Sequence, residues 1–153
     1  MSKSEFVVDQ DKLEVRLSRT FKATPERLWQ AHTDPEQIVK WWDKTTVDKH
    51  DFKVGGAWRF VSKDEDGKEF AFSGEFKEID EPKKIIRTFE YEGMPGHVMT
   101  ETITLEDLGN GQTKQMTVSK FTDANDMNGM VSMGMEEGAE AGLERLAKVV
   151  EEN

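Results

Sequence analysis

From Lys12 to Lys22 apolar and polar positions alternate. Leu13, Val15 and Leu17 fall on one face at a period of two, continued by Arg19 and Phe21, which predicts a half-buried strand. Thr24-Pro25-Glu26-Arg27 then reads as a helix start: Thr24 can cap, Pro25 suits the first helical position, and Glu26 favours the positive end. That helix is predicted to stop near Thr33. Asp34-Pro35-Glu36 repeats the start signal for a second short helix ending at about Trp42.

Strand patterns follow at residues 45–50, 57–63, 69–79, 84–91, 97–106 and 112–121. They are separated by Gly55-Gly56, Asp64-Glu65-Asp66-Gly67, Asp80-Glu81-Pro82, Glu92 to Gly96 and Gly109-Asn110-Gly111. Short connections between successive strands imply an antiparallel meander. From Asp123 to Glu152 apolar residues recur at spacings of three and four (Met127, Val131, Met135, Ala139, Leu143, Leu146, Val150), which predicts one long helix. The expected fold is α+β: a curved antiparallel sheet of six to seven strands, two short helices after the first strand, and the long helix across the concave face, with a cavity between. One domain is expected over residues 1–153, with residues 1–11 as a flexible arm.

Composition narrows the functions. Of 153 residues 34% are charged, yet nine Phe and four Trp argue for a packed core rather than disorder. The formal net charge of −10 repels phosphate backbones and anionic headgroups, so neither nucleic acid nor a membrane surface is an expected partner. The chain has no cysteine, which excludes disulfides, thiolate metal sites and a cysteine nucleophile. Met1 to Asp11 carries no apolar run of the secretory type, and no stretch approaches the ~20 apolar residues of a membrane span, so a cytoplasmic location is expected; the chain is expected to be a monomer. His32, His50 and His97 stand far apart and in no metal-ligand spacing, so no metal, cofactor or catalytic residue is expected.

Several segments in order carry a resemblance: Phe21 to Trp29, Thr33-Asp34-Pro35-Glu36 with Trp41-Trp42, Gly55 to Phe60, Ser73-Gly74-Glu75-Phe76 with Ile79 to Pro82, and Glu137 to Leu146. The chain resembles the helix-grip or START-like superfamily, in particular the group named for the activator of heat-shock protein 90 ATPase. The resemblance implies the fold given above. For function it implies binding of lipids, hormones or polyphenols, polyketide cyclisation, or assistance to a chaperone. This chain departs from the group at Ala139, where a Trp is frequent, and at Arg87, where an apolar residue is usual.

A regular hairpin joining 84–91 to 97–106 pairs Tyr91 with His97, Phe89 with Met99, Arg87 with Glu101 and Ile85 with Ile103. The apolar neighbours put Arg87 and Glu101 on the concave face, where two charges should pair. Such a pair can orient the polar end of a ligand, serve as a structural ion pair, or reach solvent if the register slips. Met127, Met130, Met133 and Met135 add adaptable apolar surface at the start of the last helix. Gly134, Gly138 and Gly142 there imply close packing or room for a ligand. Four Glu between residues 136 and 144 give the same helix an acidic outer face, a candidate docking surface for a basic partner.

The candidate ligand-binding residues are Trp41, Trp58, Phe60, Phe72, Phe76, Arg87, Phe89, Met99, Glu101, Met116, Val118, Met127 and Met130. The expected function is non-enzymatic binding of an apolar or amphipathic small molecule, such as a lipid, polyketide or flavonoid-like compound. The alternatives are a chaperone accessory and a cyclase-like enzyme, for which Glu101 or His97 would supply the acid–base group.

Overall fold

The computed structural model describes residues 4–151. Its sheet has eight antiparallel strands: β1 Glu5–Asp9, β2 Glu14–Phe21, β3 Thr45–His50, β4 Ala57–Lys63, β5 Glu69–Asp80, β6 Lys84–Tyr91, β7 Val98–Gly109 and β8 Gln112–Lys120. Their spatial order is β1-β2-β8-β7-β6-β5-β4-β3, so β2 joins a meander that runs from β3 to β8. The strand beyond the expected number is β1. It lies within the segment expected to be an arm and pairs with β2, Phe6 opposite Leu17; residues 1–3 of that segment lie outside the described residues.

The two Pro-led helices form where their start signals stand. Helix α1 spans Pro25–Thr33, with the Thr24 side chain accepting from the Arg27 N–H at 3.2 Å. Helix α2 spans Pro35–Trp41, capped by Asp34, whose carboxylate accepts from the Glu36 N–H at 3.0 Å while its own N–H closes α1 on Gln30 O. One residue thus ends one helix and starts the next.

The helix expected over 123–152 is two helices. Helix α3 spans Ala124–Ser132 and α4 spans Met135–Glu151. The break falls at Met133-Gly134, where Gly134 takes φ +91°, a left-handed conformation that stops a helix and suits glycine. Gly134 is therefore not part of a helical ridge, and only Gly138 and Gly142 belong to α4.

Two apolar cores result. The larger lies between the sheet and α1, α2 and α4, with Phe21, Leu28, Trp58, Phe60, Phe76 and Leu146 nearly or fully sealed. The smaller, under α3, joins Val15, Met99, Phe121 and Met127. Helix α4 is bonded to its neighbours along its second half: Arg145 Nε donates to Trp41 O at 2.8 Å, Arg27 donates to Val149 O at 3.0 Å, Glu144 accepts from Arg19 at 2.6 Å, and Glu151 accepts from the Lys22 N–H at 2.9 Å. Among the described residues no side chain of residues 135–142 makes such a bond, and the buried residues of α4 begin at Leu143.

Candidate functional site

A cavity of about 650 Å³ lies between the concave face of the sheet and α3–α4. This is the size of pockets that enclose small organic molecules. Its aromatic wall comes from α2 and the β5–β6 side: Trp41, Trp42, Phe70, Phe72 and Phe89. The rings touch in sequence, Trp41–Trp42 at 5.8 Å, Trp42–Phe72 at 6.3 Å and Phe72–Phe89 at 5.3 Å between centroids. The facing wall is small or flexible: Gly138, Ala139 and Gly142 of α4, with Met130, Met135 and Met99 at one end. Charged residues of the α2–β3 connection and the β4–β5 turn, among them Lys44 and Glu65, surround the other, exposed end.

Arg87 and Glu101 meet on the floor. The β6–β7 register pairs Phe89 with Met99, Arg87 with Glu101 and Ile85 with Ile103. The ladder closes at Glu90–Val98, so Tyr91 and His97 do not pair. Arg87 Nε donates to Glu101 Oε1 at 2.7 Å, and the two side chains are only 8% and 13% exposed. The guanidinium lies 4.5 Å from the centroid of the Trp58 ring, a favourable cation–π position. Trp58 in turn is fixed by its Nε1–H donating to Thr88 O at 3.1 Å. The Trp58 bond leaves no room beside it: a Cβ on Gly74 would stand 1.9 Å from Thr88 O and 2.7 Å from Trp58 Nε1.

A second polar pair shares the cavity. His32 of α1 is buried, with Nε2 donating to Gln115 Oε1 of β8 at 2.7 Å and its ring edge-on to Trp41. Burial pushes the imidazole pKa down from the ordinary 6.5 to about 4, against the Gln115 hydrogen bond, so the ring is neutral at neutral pH. The folded state then resists a proton that the unfolded chain accepts. The stability this contributes is complete above pH 6.5 and is lost as pH falls toward 4. Between pH 7 and pH 4 the stability gap between wild type and His32→Gln should close in the variant's favour by about 3 kcal/mol, the equivalent of that shift. Urea unfolding of both proteins across this range is the measurement, and a gap constant with pH would contradict it.

Of the thirteen residues read as ligand-binding, the cavity is lined by Trp41, Phe72, Arg87, Phe89, Met99, Glu101 and Met130. Trp58, Phe60, Phe76 and Met127 are sealed in the two cores beside it. Met116 and Val118 do not reach it: they alternate with Gln115, Thr117 and Ser119, and it is these polar residues that line the cavity. Sequence reading also missed His32 and Phe6, the latter carried in by β1. Of the two groups considered for acid–base work, Glu101 lies in the cavity against Arg87. His97 is half exposed outside it, 2.7 Å from Asp126 of α3.

Among the described residues no helix is long and apolar enough to cross a membrane. No curated protein matches the sequence. Solved structures of the same fold are numerous. A protein from Arthrobacter aurescens is 27% identical with a TM-score of 0.89, over 97% of this chain and 92% of that one. Ms6760 from Mycobacterium smegmatis is 25% identical with a TM-score of 0.86, over 95% and 94%. CV1439 from Chromobacterium violaceum is 29% identical with a TM-score of 0.78, over 90% and 97%. The family model described as activator of Hsp90 ATPase homolog 1-like protein matches residues 22–151, from the start of α1 through α4, and the chain belongs to that family.

Proposed function

We propose that this protein binds an apolar or amphipathic small molecule in the cavity, without transforming it. One observation carries the reading: a largely apolar cavity of about 650 Å³, open at one end and walled on one side by aromatic rings, holds an ion pair on its floor. Apolar walls supply affinity and a few fixed polar groups supply orientation, which is the usual construction of small-molecule sites. The groups present do not favour catalysis: His32 is a poor base with a pKa of about 4, and Glu101 is held by Arg87. A second reading, assistance to a chaperone, draws on the family's description and on the exposed Glu136, Glu137 and Glu144 of α4.

The wall at Gly138 offers the test. A Cβ there would meet nothing within 4 Å, so close packing does not require this glycine in the first half of α4. Gly138 is itself exposed and borders the cavity, and room for a ligand is the reading that a larger side chain there tests. Gly138→Leu should raise stability by about 1 kcal/mol, the helix-propensity difference. The same variant should bind the neutral fluorophore N-phenyl-1-naphthylamine at least tenfold more weakly. Amide chemical shifts should move on probe binding at Trp41, Phe89, Met99 and Met130. Equal binding by both proteins, or shifts confined to the outer surface, would refute the reading.

A further inference from the structure

The cavity floor carries more polar groups than a chain-like lipid can satisfy. Arg87, Glu101 and Ser119 stand directly opposite one another on three successive strands, β6, β7 and β8. Gln115, Thr117 and Ser119 follow along β8 on the same face. Neighbours across strands are about 4.8 Å apart, and same-face neighbours along a strand about 6.8 Å. The result is an angled strip of polar positions across a floor otherwise made of Ile103, Leu17, Val15 and Phe89.

Most of this strip is unpartnered. Ser119 is 4% exposed and Thr117 half-buried, yet among the described residues neither hydroxyl has a hydrogen-bond partner. Of the Arg87 donors only Nε is engaged, which leaves Nη1 and Nη2. Gln115 uses its oxygen on His32 and has its amide N–H groups free. Glu101 uses one oxygen and keeps the other. None of these atoms is sealed in protein; among the described residues the sealed side-chain atoms lacking a partner are Arg19 Nε and His50 Nδ1, neither of which belongs to the strip. Buried polar groups that stay unpaired are costly, so a ligand that covers the strip must replace their water hydrogen bonds.

Charge narrows the class further. Arg87 and Glu101 cancel, His32 is neutral, and Gln115, Thr117 and Ser119 carry no charge. A ligand carboxylate on Arg87 would share that cation with Glu101 in a low-dielectric space, an arrangement that disfavours the second anion. The rest of the lining, aromatic at Trp41, Trp42 and Phe72 and small at Gly138, Ala139 and Gly142, is largely apolar; Arg145 there donates to Trp41 O, and other charged residues stand at the exposed end.

We infer that the cavity is built for an uncharged, facially amphipathic ring compound, with several hydroxyl or carbonyl oxygens about 5–7 Å apart on one face and an apolar opposite face. This deepens the small-molecule reading and rests on it. A single-headed chain lipid would satisfy one group of the strip and strand the others.

Methyl cholate and methyl lithocholate test it, because they share one skeleton and differ in carrying three hydroxyls or one. Displacement of N-phenyl-1-naphthylamine from the wild-type protein reports both affinities. A merely apolar cavity prefers the less hydroxylated ester. The strip should invert that order, with methyl cholate at least tenfold tighter, since sites built to hydrogen-bond a hydroxyl discriminate strongly against its loss. In the near-isosteric variant Thr117→Val/Ser119→Ala the order should revert to methyl lithocholate, each ester being read against the variant's own fluorophore affinity, while a far-ultraviolet circular dichroism spectrum and urea midpoint close to wild type report an intact fold. If methyl lithocholate wins on the wild type, if neither ester displaces the fluorophore, or if the double variant keeps the wild-type order, the inference is overturned and the small-molecule reading stands. If the fluorophore itself does not bind, both fail together.

Discussion

Replacing Glu101 by Ala should destabilise the fold by about 3–5 kcal/mol, the range for breaking a buried ion pair from one side. The substitution leaves the Arg87 guanidinium on the Trp58 ring with no carboxylate beside it, in a position only 8% exposed. The cost is that of a stranded charge rather than the net worth of the pair. The charge-free combination Arg87→Met with Glu101→Leu should therefore recover much of the loss, since apolar replacements of buried pairs are often neutral or better. A double-mutant cycle by urea unfolding measures both quantities. Single effects that add, each below about 0.5 kcal/mol as at unrelated surface positions, would show that the pair does not bear on stability.

Gly74→Ala should cost about 3 kcal/mol, although it adds one methyl group. At 1.9 Å from Thr88 O that methyl cannot be accommodated by a side-chain rotation, because the obstacle is backbone. Either β5 separates from β6 or Trp58 gives up its hydrogen bond to Thr88 O. Overpacking costs about 1–3 kcal/mol and the lost bond about 1 more. The displaced indole is the one that carries Arg87, so the damage reaches the cavity floor from its far side. Unfolding in urea provides the number, and a loss under about 1 kcal/mol would mean that the two strands part freely at this point.

The sequence patterns are informative wherever the chain keeps a regular period. Strands β3, β4 and β6 lie at the residues where alternation places them, and α1 and α2 start at their caps. The Arg87–Glu101 pairing follows from the apolar residues that flank it. The polar strip was hidden by one irregularity. From the tight turn at Asn110-Gly111, Gly109 pairs with Gln112, and an unbroken ladder would carry Met116 and Val118 to the same face as Leu105 and Ile103. A register shift between Asp107 and Gly109 inserts one residue, so Leu105 meets Gln115 and Ile103 meets Thr117. A one-residue slip exchanges the two faces of a strand. The apolar side of β8 accordingly lies away from the cavity and the polar side faces in, opposite to what hydrophobicity alone suggests. The break at Gly134 escaped for a related reason: the apolar spacing of three and four continues across it, and only the backbone angle of that glycine interrupts the helix.

The uneven fastening of α4 gives the helix the mechanics of a cantilever. From Leu143 onward it is clamped to α1, α2 and β2 by buried apolar residues and by bonds from Arg27, Arg145, Glu144 and Glu151. Its free arm, residues 135–142, hangs over the cavity and begins at the pivot Gly134. Among the described residues, lifting that arm unzips no side-chain hydrogen bond to a neighbouring element and undoes mainly the apolar contact of Met135 with the smaller core, whereas lifting the clamped end breaks several bonds. If the guest is the rigid ring compound proposed above, a local excursion of two helical turns would admit it, with the clamp keeping the rest of the molecule folded.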